Sequence, residues 1–228
     1  AEAERTAAPG TEIEVLTAPF GVAYIETRFE ALIGAYAAAE LAAEHHARFD
    51  AVIVAAFGDP GLAGLREALP CPGTGLTEAA LASACLLGKR FSIVAITQRI
   101  RAWYRETVQA NGLENRLASI RGLDEPLADI GNVQGEQGER LVRLAEACVD
   151  EDGADVIVLA GAPLAGLARS LRGRLPVPAV DGVSSAVRHA ESLVALQPGR
   201  AQRGSLAAPP LKPHRGLSPA LVRLLERR

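Results

Sequence analysis

Apolar residues in this chain follow two rhythms, and one arrangement of them occurs twice. Residues 51–56 (AVIVAA) are continuously apolar, as is the run Val156-Ile157-Val158-Leu159. Such runs suit strands buried on both faces of a parallel sheet. Each is followed by a small-residue elbow: Phe57-Gly58-Asp59-Pro60-Gly61 after the first, Gly161-Ala162-Pro163-Leu164-Ala165-Gly166 after the second. A short amphipathic helix comes next, then a Pro-x-Pro break (Pro70-Cys71-Pro72; Pro176-Val177-Pro178), then a strand leading into a helix (GTGLTEAALASA; AVDGVSSAVRHA). Residues 49–84 and 153–190 thus share one plan, which predicts two similar α/β lobes.

The remaining pattern fills in around the repeat. Residues 1–10 read as the tail of a helix closing at Pro9-Gly10, and Thr11–Thr17 alternates polar and apolar like a half-solvated strand. A loop over 19–26 precedes an Ala-rich helix to about His46, with Phe29, Ile33 and Tyr36 at helical spacing. Adjacent His45 and His46 would point in different directions and read as solvated helix-end residues, not a metal pair. Lys89–Thr97 is a further buried strand, and Arg99 to about Ala110 a helix stopped by Asn111-Gly112. Leu117–Leu123 is a short strand, 124–135 a loop, and Gln134–Asp150 a charged amphipathic helix with Cys148 on its buried stripe. The last helix of the second repeat runs to about Leu196, with His189 as a surface or packing residue. The predicted division is 1–96 for the first lobe and 97–196 for the second, whose final helix packs back on the first. Residues 197–228, rich in Pro, Gly and Arg, are expected to form a flexible tail without chemistry, although 219–228 could make one short amphipathic helix.

Composition narrows the function classes. The 228 residues are 49% hydrophobic with few aromatics, enough for a core of Ala, Leu, Val and Ile. A net charge of −3 with mixed signs gives no basic field for nucleic acid or a membrane surface. No apolar run approaches the roughly 20 residues that span a bilayer. Three cysteines without Cys-x-x-Cys spacing predict neither a disulfide framework nor a zinc site, and point to a reducing cytoplasm.

The two elbows are where chemistry is expected, because ligands of parallel α/β sheets sit beyond the carboxyl ends of the strands. Asp59-Pro60 reads as an N-cap followed by proline at the first helical position; Asp59 could alternatively serve as a general base. Gly58, Gly61, Gly161 and Gly166 permit close backbone approach to a carboxylate. Neither elbow carries the Lys-Ser/Thr of a phosphate-binding loop or the G-x-G-x-x-G of a dinucleotide site.

Three segments carry a resemblance: Phe57-Gly58-Asp59-Pro60-Gly61-Leu62, Gly75-Leu76-Thr77-Glu78-Ala79, and Val177-Pro178-Ala179-Val180-Asp181-Gly182-Val183. Together, and in this order within residues 11–195, they resemble the aspartate/glutamate/hydantoin racemase superfamily, most closely its hydantoin and allantoin racemases. The resemblance implies a three-layer αβα fold of two pseudo-symmetric lobes with the site in the cleft between them. It implies no cofactor and no metal, a small carboxylate or cyclic imide as substrate, and possible homo-oligomers. It also implies a cysteine at each elbow, the pair exchanging a proton on opposite faces of a carbon acid.

Here the two cysteine positions are Ala56 and Gly161. Cys71, Cys85 and Cys148 lie elsewhere in the pattern, so a two-thiol mechanism is not available. The family's opening strand, with its Asn-Pro-Asn-Thr-like turn, has no counterpart before Thr11; either it is lost or it lies upstream of Ala1. By the resemblance, Thr97 corresponds to a hydroxyl-bearing position near the site, and Tyr24 and Glu26 to a substrate-covering loop. Thr97 could equally bond its own backbone. Thr74 lies near the return strand of the first elbow. The expected ligand contacts are Tyr24, Glu26, Ala56, Phe57, Gly58, Thr74, Thr97, Gly161 and Ala162. Three functions remain open: an isomerase using a non-thiol route, a related decarboxylase stabilising an enediolate through backbone N–H groups, and a binder that keeps the cleft without catalysis.

Overall fold

The structure, a computed structural model, describes residues 2–124 and 129–226. Chain order is α1 (Glu2–Thr6), α2 (Arg28–His45), β1 (Val52–Val54), α3 (Leu62–Ala68), β2 (Gly73–Gly75), α4 (Leu76–Leu87), β3 (Phe91–Ala95) and α5 (Arg101–Ala110). It continues with β4 (Leu117–Gly122), α6 (Val133–Asp150), β5 (Val156–Leu159), α7 (Leu167–Ser170), β6 (Ala179–Asp181), α8 (Gly182–Leu196) and α9 (Pro219–Glu226). The doubled pattern of the sequence is the doubled order of the fold: β1-α3-β2-α4 and β5-α7-β6-α8.

Every strand pairing is parallel. Among the described residues β1 and β2 form one sheet, in the register Val52↔Gly73 and Val54↔Gly75, and the order β4-β3-β5-β6 forms another. Alternate residues of the second sheet face opposite layers, as a period of two requires. Ile93, Ala95, Val156 and Val158 pack with Ala80, Leu81, Tyr104 and Ala186 of α4, α5 and α8. Val94, Ile157 and Leu159 pack with Leu141, Ala145 and Cys148 of α6 and with Leu167 of α7. The result is helix, sheet, helix, and it explains why these strands read as unbroken apolar runs. A third cluster joins Val54 to α2, α3 and α9 through Ala42, Ala43, Leu62, Leu65 and Leu224.

Several boundaries differ from the sequence reading. The first buried strand is three residues long, not six, and β3 stops at Ala95, two residues short of Thr97. β3 belongs to the second sheet, although it precedes the expected lobe boundary at residue 96. Thr11–Thr17 forms no strand: no neighbour offers a ladder, and residues 12–26 make no backbone–backbone hydrogen bond among the described residues. Alternation alone does not make a strand when its edge is unpaired. The expected loop over 124–135 shortens at its end, because α6 begins at Val133; residues 125–128 of it lie outside the described residues.

The long helix α2 starts as its sequence indicates. Thr27 accepts from the Glu30 N–H while Glu30 accepts from the Thr27 N–H, a capping box. Its buried face is alanine (Ala37, Ala42, Ala43), and Phe29 and Tyr36 point outward. His46 is not solvated; it is 3% exposed, with Nδ1 3.0 Å from the Ala42 carbonyl. Residues 197–217 hold no helix or strand, whereas α9 docks on α2, burying Ala220 and Leu224, with Ser218 donating to Glu40.

Candidate functional site at the two elbows

The elbows follow the carboxyl ends of β1 and β5, and the repeat aligns them residue for residue. With Val54 matched to Leu159, Ala56 falls on Gly161 and Gly61 on Gly166; after a one-residue slip the strand ends Gly75 and Asp181 and the helix starts Leu76 and Gly182 correspond. Gly61 and Gly166 do the same work: each sits at positive φ (79° and 81°) and begins the short helix that follows. Few other residues accept that backbone without strain.

The helices α4 and α8, which follow β2 and β6, are tied to these elbows, and each is capped by an aspartate drawn from a different place. Asp181 caps its own helix: Oδ1 accepts from the Ser184 N–H at 2.9 Å, and Oδ2 from the Gly166 N–H at 3.3 Å. In the first repeat Gly75 stands at that position and cannot cap. Asp59 does so from the elbow, its two oxygens accepting from the N–H groups of Thr77 and Glu78 at 2.8 Å each. This corrects the sequence reading, in which Asp59 and Pro60 open α3. That helix begins at Leu62, and Asp59 turns away from it with φ of 49°.

Burial pushes the Asp59 carboxyl up to about 6 against the two N–H bonds, which favour the charged form, and the nearby Glu78 charge raises it further. Thr77 completes the lock by accepting from the Gly58 N–H through its hydroxyl. The helix starts also touch each other. A Cβ on Gly182 would lie 2.7 Å from that of Leu76, so the glycine is what lets α8 approach α4. One interface therefore sets both elbows.

What the elbows offer a ligand is backbone. The N–H groups of Ala56, Phe57, Gly161 and Ala162 donate to no acceptor among the described residues. Gly161 is buried, so its free N–H carries a desolvation cost that a bound acceptor would relieve. Two consecutive free donors at each of two matched elbows suit a planar ligand with an oxygen at either end, or an oxyanion as it forms.

Two recesses adjoin these turns. A cavity of about 430 Å³ runs along β1 and reaches Ala56; Ile13, Val15, Val54, Leu76 and Val183 make it largely apolar. A more polar recess of about 510 Å³ lies beside Gly166, lined by Glu2, Gln134, Arg169 and Ser170, with Glu2 and Arg169 in an ion pair. Ala56 borders the first; Gly161 and Ala162 border neither.

The other residues named from sequence separate into positions with local partners. Thr97 accepts from the Arg99 N–H at 3.1 Å, the strand-end bond that was its alternative reading. Thr74 is 2% exposed and donates to the Ala186 carbonyl at 3.4 Å, joining β2 to α8. Tyr24 is 39% exposed, and Glu26 uses its N–H on the capping carboxylate of Glu30. Tyr24, Glu26, Thr74 and Thr97 border neither recess. His189 approaches Ser83 at 3.1 Å across α8 and α4.

None of the three thiols borders either recess. Burial raises the pKa of Cys71 and of Cys148, disfavouring the thiolate in both, and Cys148 lies in the α6 layer beside Ser119. Among the described residues no group of three or more His, Cys, Asp or Glu side chains could hold a metal ion, and no helix is long and apolar enough to cross a membrane.

Sequence reasoning missed one residue at the first elbow, Trp103. Its indole lies so close to Gly58 that a Cβ there would come within 2.3 Å of Cη2 and Cζ2. The ring also meets Tyr104 at 5.7 Å between centroids, and Tyr104 meets Phe57 at 4.8 Å. The available signal was the chain's one tryptophan, on an amphipathic helix.

Known proteins resemble this chain over most of its length. Residues 1–190 match the family profile Asp/Glu/Hydantoin racemase. A hydantoin racemase of Paenarthrobacter aurescens is 38% identical, the alignment covering 85% of this chain and 83% of the relative. The solved allantoin racemase from Klebsiella pneumoniae superposes with a TM-score of 0.90 at 35% identity, over 96% of this chain and 90% of that one. That from Pseudomonas fluorescens gives 0.87 at 36% identity, over 94% and 92%. An arylmalonate decarboxylase mutant shares the fold, with a TM-score of 0.56 at 17% identity over 77% of this chain and 79% of that one.

Proposed function

The chain belongs to the Asp/Glu/hydantoin racemase family and is a racemase-type isomerase, and from that premise we propose that it acts without a cofactor on a hydantoin-like cyclic imide held between the two elbows. The observation that carries this is the matched pair of free N–H donors at Ala56-Phe57 and Gly161-Ala162, one of them on the buried Gly161. A carbonyl at each end of a flat ring would meet both. As the proton α to such a carbonyl leaves, charge grows on oxygen, and backbone donors that bond it would lower the barrier.

The proton itself needs another carrier. Ala56 and Gly161 stand at the positions of the family's two thiols and have no titratable group. Each missing acid/base group costs about 10²–10⁴-fold in rate. A water molecule at each elbow is the simplest replacement, which makes this a slow isomerase by a non-thiol route. The division into two lobes, with the cleft between them as the site, is part of this reading; its boundary is best drawn at Gly88, ahead of β3. Association into homo-oligomers and a cytoplasmic location accompany it.

The test is α-deuterium wash-in from D₂O across hydantoin, allantoin, 5-benzylhydantoin and free amino acids, with loss of optical rotation followed for the chiral ones. Exchange confined to the cyclic imides supports the proposal. Exchange of amino acids alone, or carbon dioxide release from substituted malonates without imide exchange, overturns it.

A further inference from the structure

We infer that the apolar cavity along β1 receives the C5 substituent of the bound imide, so that the substrate is a hydantoin carrying a bulky apolar group and not a polar one. The inference rests on the proposed function and adds the class of the substituent to it.

The position follows from the chemistry of the ring. In a hydantoin the acidic carbon, C5, is bonded to the C4 carbonyl, and the substituent is bonded to C5. A C4 oxygen on the free N–H groups of Ala56 and Phe57 therefore brings C5 to the first elbow. The cavity reaches that place, where Ala55, Ala56 and Pro60 border it. Gly161 and Ala162 border neither recess, which makes the first elbow the end that takes the substituent.

The walls decide what the substituent can be. Val54 stands opposite Gly75 in the β1–β2 register, so Leu76 follows directly, and Gly182 lies against Leu76 with Val183 next in the chain. Val54, Leu76 and Val183 all line the cavity. From α2 the lining is Gly34, Ala37 and Ala38, and the bulk these residues lack is the space itself. The volume of about 430 Å³ falls in the range of small-molecule pockets, about 300–1,000 Å³.

The ionisable side chains of the lining are Glu12, Glu14, His45 and His46, and none of them belongs to the elbow, β1, α4 or α8. Glu14 is paired with Arg48, and His46 is held on the Ala42 carbonyl. A polar substituent beside Val54, Leu76 and Val183 would give up its water and find no side-chain partner. An apolar one gains about fourfold in affinity for each methylene it buries.

Allantoin and 5-isobutylhydantoin make the test sharp, because ureido and isobutyl groups have the same branching and the same count of heavy atoms. Calorimetry with hydantoin, its 5-methyl, 5-isobutyl and 5-benzyl derivatives, and allantoin should show affinity rising with apolar bulk. The isobutyl compound should bind about tenfold or more tighter than allantoin. Val183→Phe, or Ala38→Leu from the α2 wall, fills the cavity and should lower the ratio of 5-benzylhydantoin to hydantoin affinity about tenfold. Allantoin binding as tightly as 5-isobutylhydantoin, a series flat in substituent size, or a ratio untouched by both variants overturns the cavity assignment. A flat series is also what an apolar segment of polypeptide filling the cavity would produce. The elbow reading survives those results, since hydantoin itself still binds. If none of these imides binds, both are overturned.

Discussion

The carboxyl group of Asp59 occupies the volume that a side chain on Gly75 would need: a Cβ there would come within 2.3 Å of both Cγ and Oδ1. In the second repeat the matching position is Asp181, which caps its own helix. One cap has moved from the helix to the elbow, and the glycine is the mark it left. The consequence is functional as well as structural, since Asp59 now fixes the turn that carries Ala56, Phe57 and Gly58.

Substituting Gly75 by alanine should therefore act on the elbow. The added methyl must displace Asp59 from the N–H groups of Thr77 and Glu78, costing about 1–3 kcal/mol by overpacking. Urea unfolding of G75A measures it. A variant as stable as the parent would show that Asp59 has another place to go.

The raised pKa of Asp59 gives a signed pH dependence. The folded state holds this proton with a pKa of about 6 and the unfolded chain at the ordinary 3.8. The contribution of Asp59 to stability is complete below about pH 4, is lost as the pH rises to about 6, and is constant above. Other groups cancel when the parent is compared with Asp59→Asn. The parent's stability minus that of D59N should thus fall between pH 4 and 6.5 and stay level from 7 to 8. A difference that rises over the same interval would contradict the assignment.

The end of the chain supplies a third expectation. Leu224 is 6% exposed and packs with Leu62, Leu65 and Ala43 beneath α2. Leu224→Ala should cost about 2–3 kcal/mol, in the range of core truncations. A loss under half a kilocalorie would mean that α9 contributes nothing to the folded state.

Much of this was legible beforehand, and the reasons differ by residue. The runs at Val156–Leu159 and Lys89–Thr97 announced strands covered on both faces because burial on both faces removes polar alternation. Thr27 and Glu30, three apart before an apolar helix, encode a cap entirely within local sequence. Asp59 was legible as a cap but not as the cap of α4, since its acceptors meet N–H groups eighteen and nineteen residues on. Thr11–Thr17 misled because alternation reports a half-buried face and says nothing about an available ladder. Ala56 and Gly161 were singled out by repeat and resemblance. Trp103 was missed because its partner, Gly58, has no side chain and so leaves no trace of a contact in sequence.

The account's central claim is that the elbows hold and acidify the ligand while the proton carrier is absent, and the most direct test restores one. Ala56→Cys is the cleaner variant, since Gly161 has φ of 106° and a cysteine there carries about 1–3 kcal/mol of backbone strain. Deuterium wash-in from D₂O into one enantiomer of 5-benzylhydantoin should be about 10²–10⁴-fold faster in A56C than in the parent. A single thiol addresses one face, so that exchange should proceed with retention, and racemisation should appear only when Gly161→Cys is added. Equal exchange rates in the parent and A56C would contradict the claim, because nothing at residue 56 would then limit the reaction.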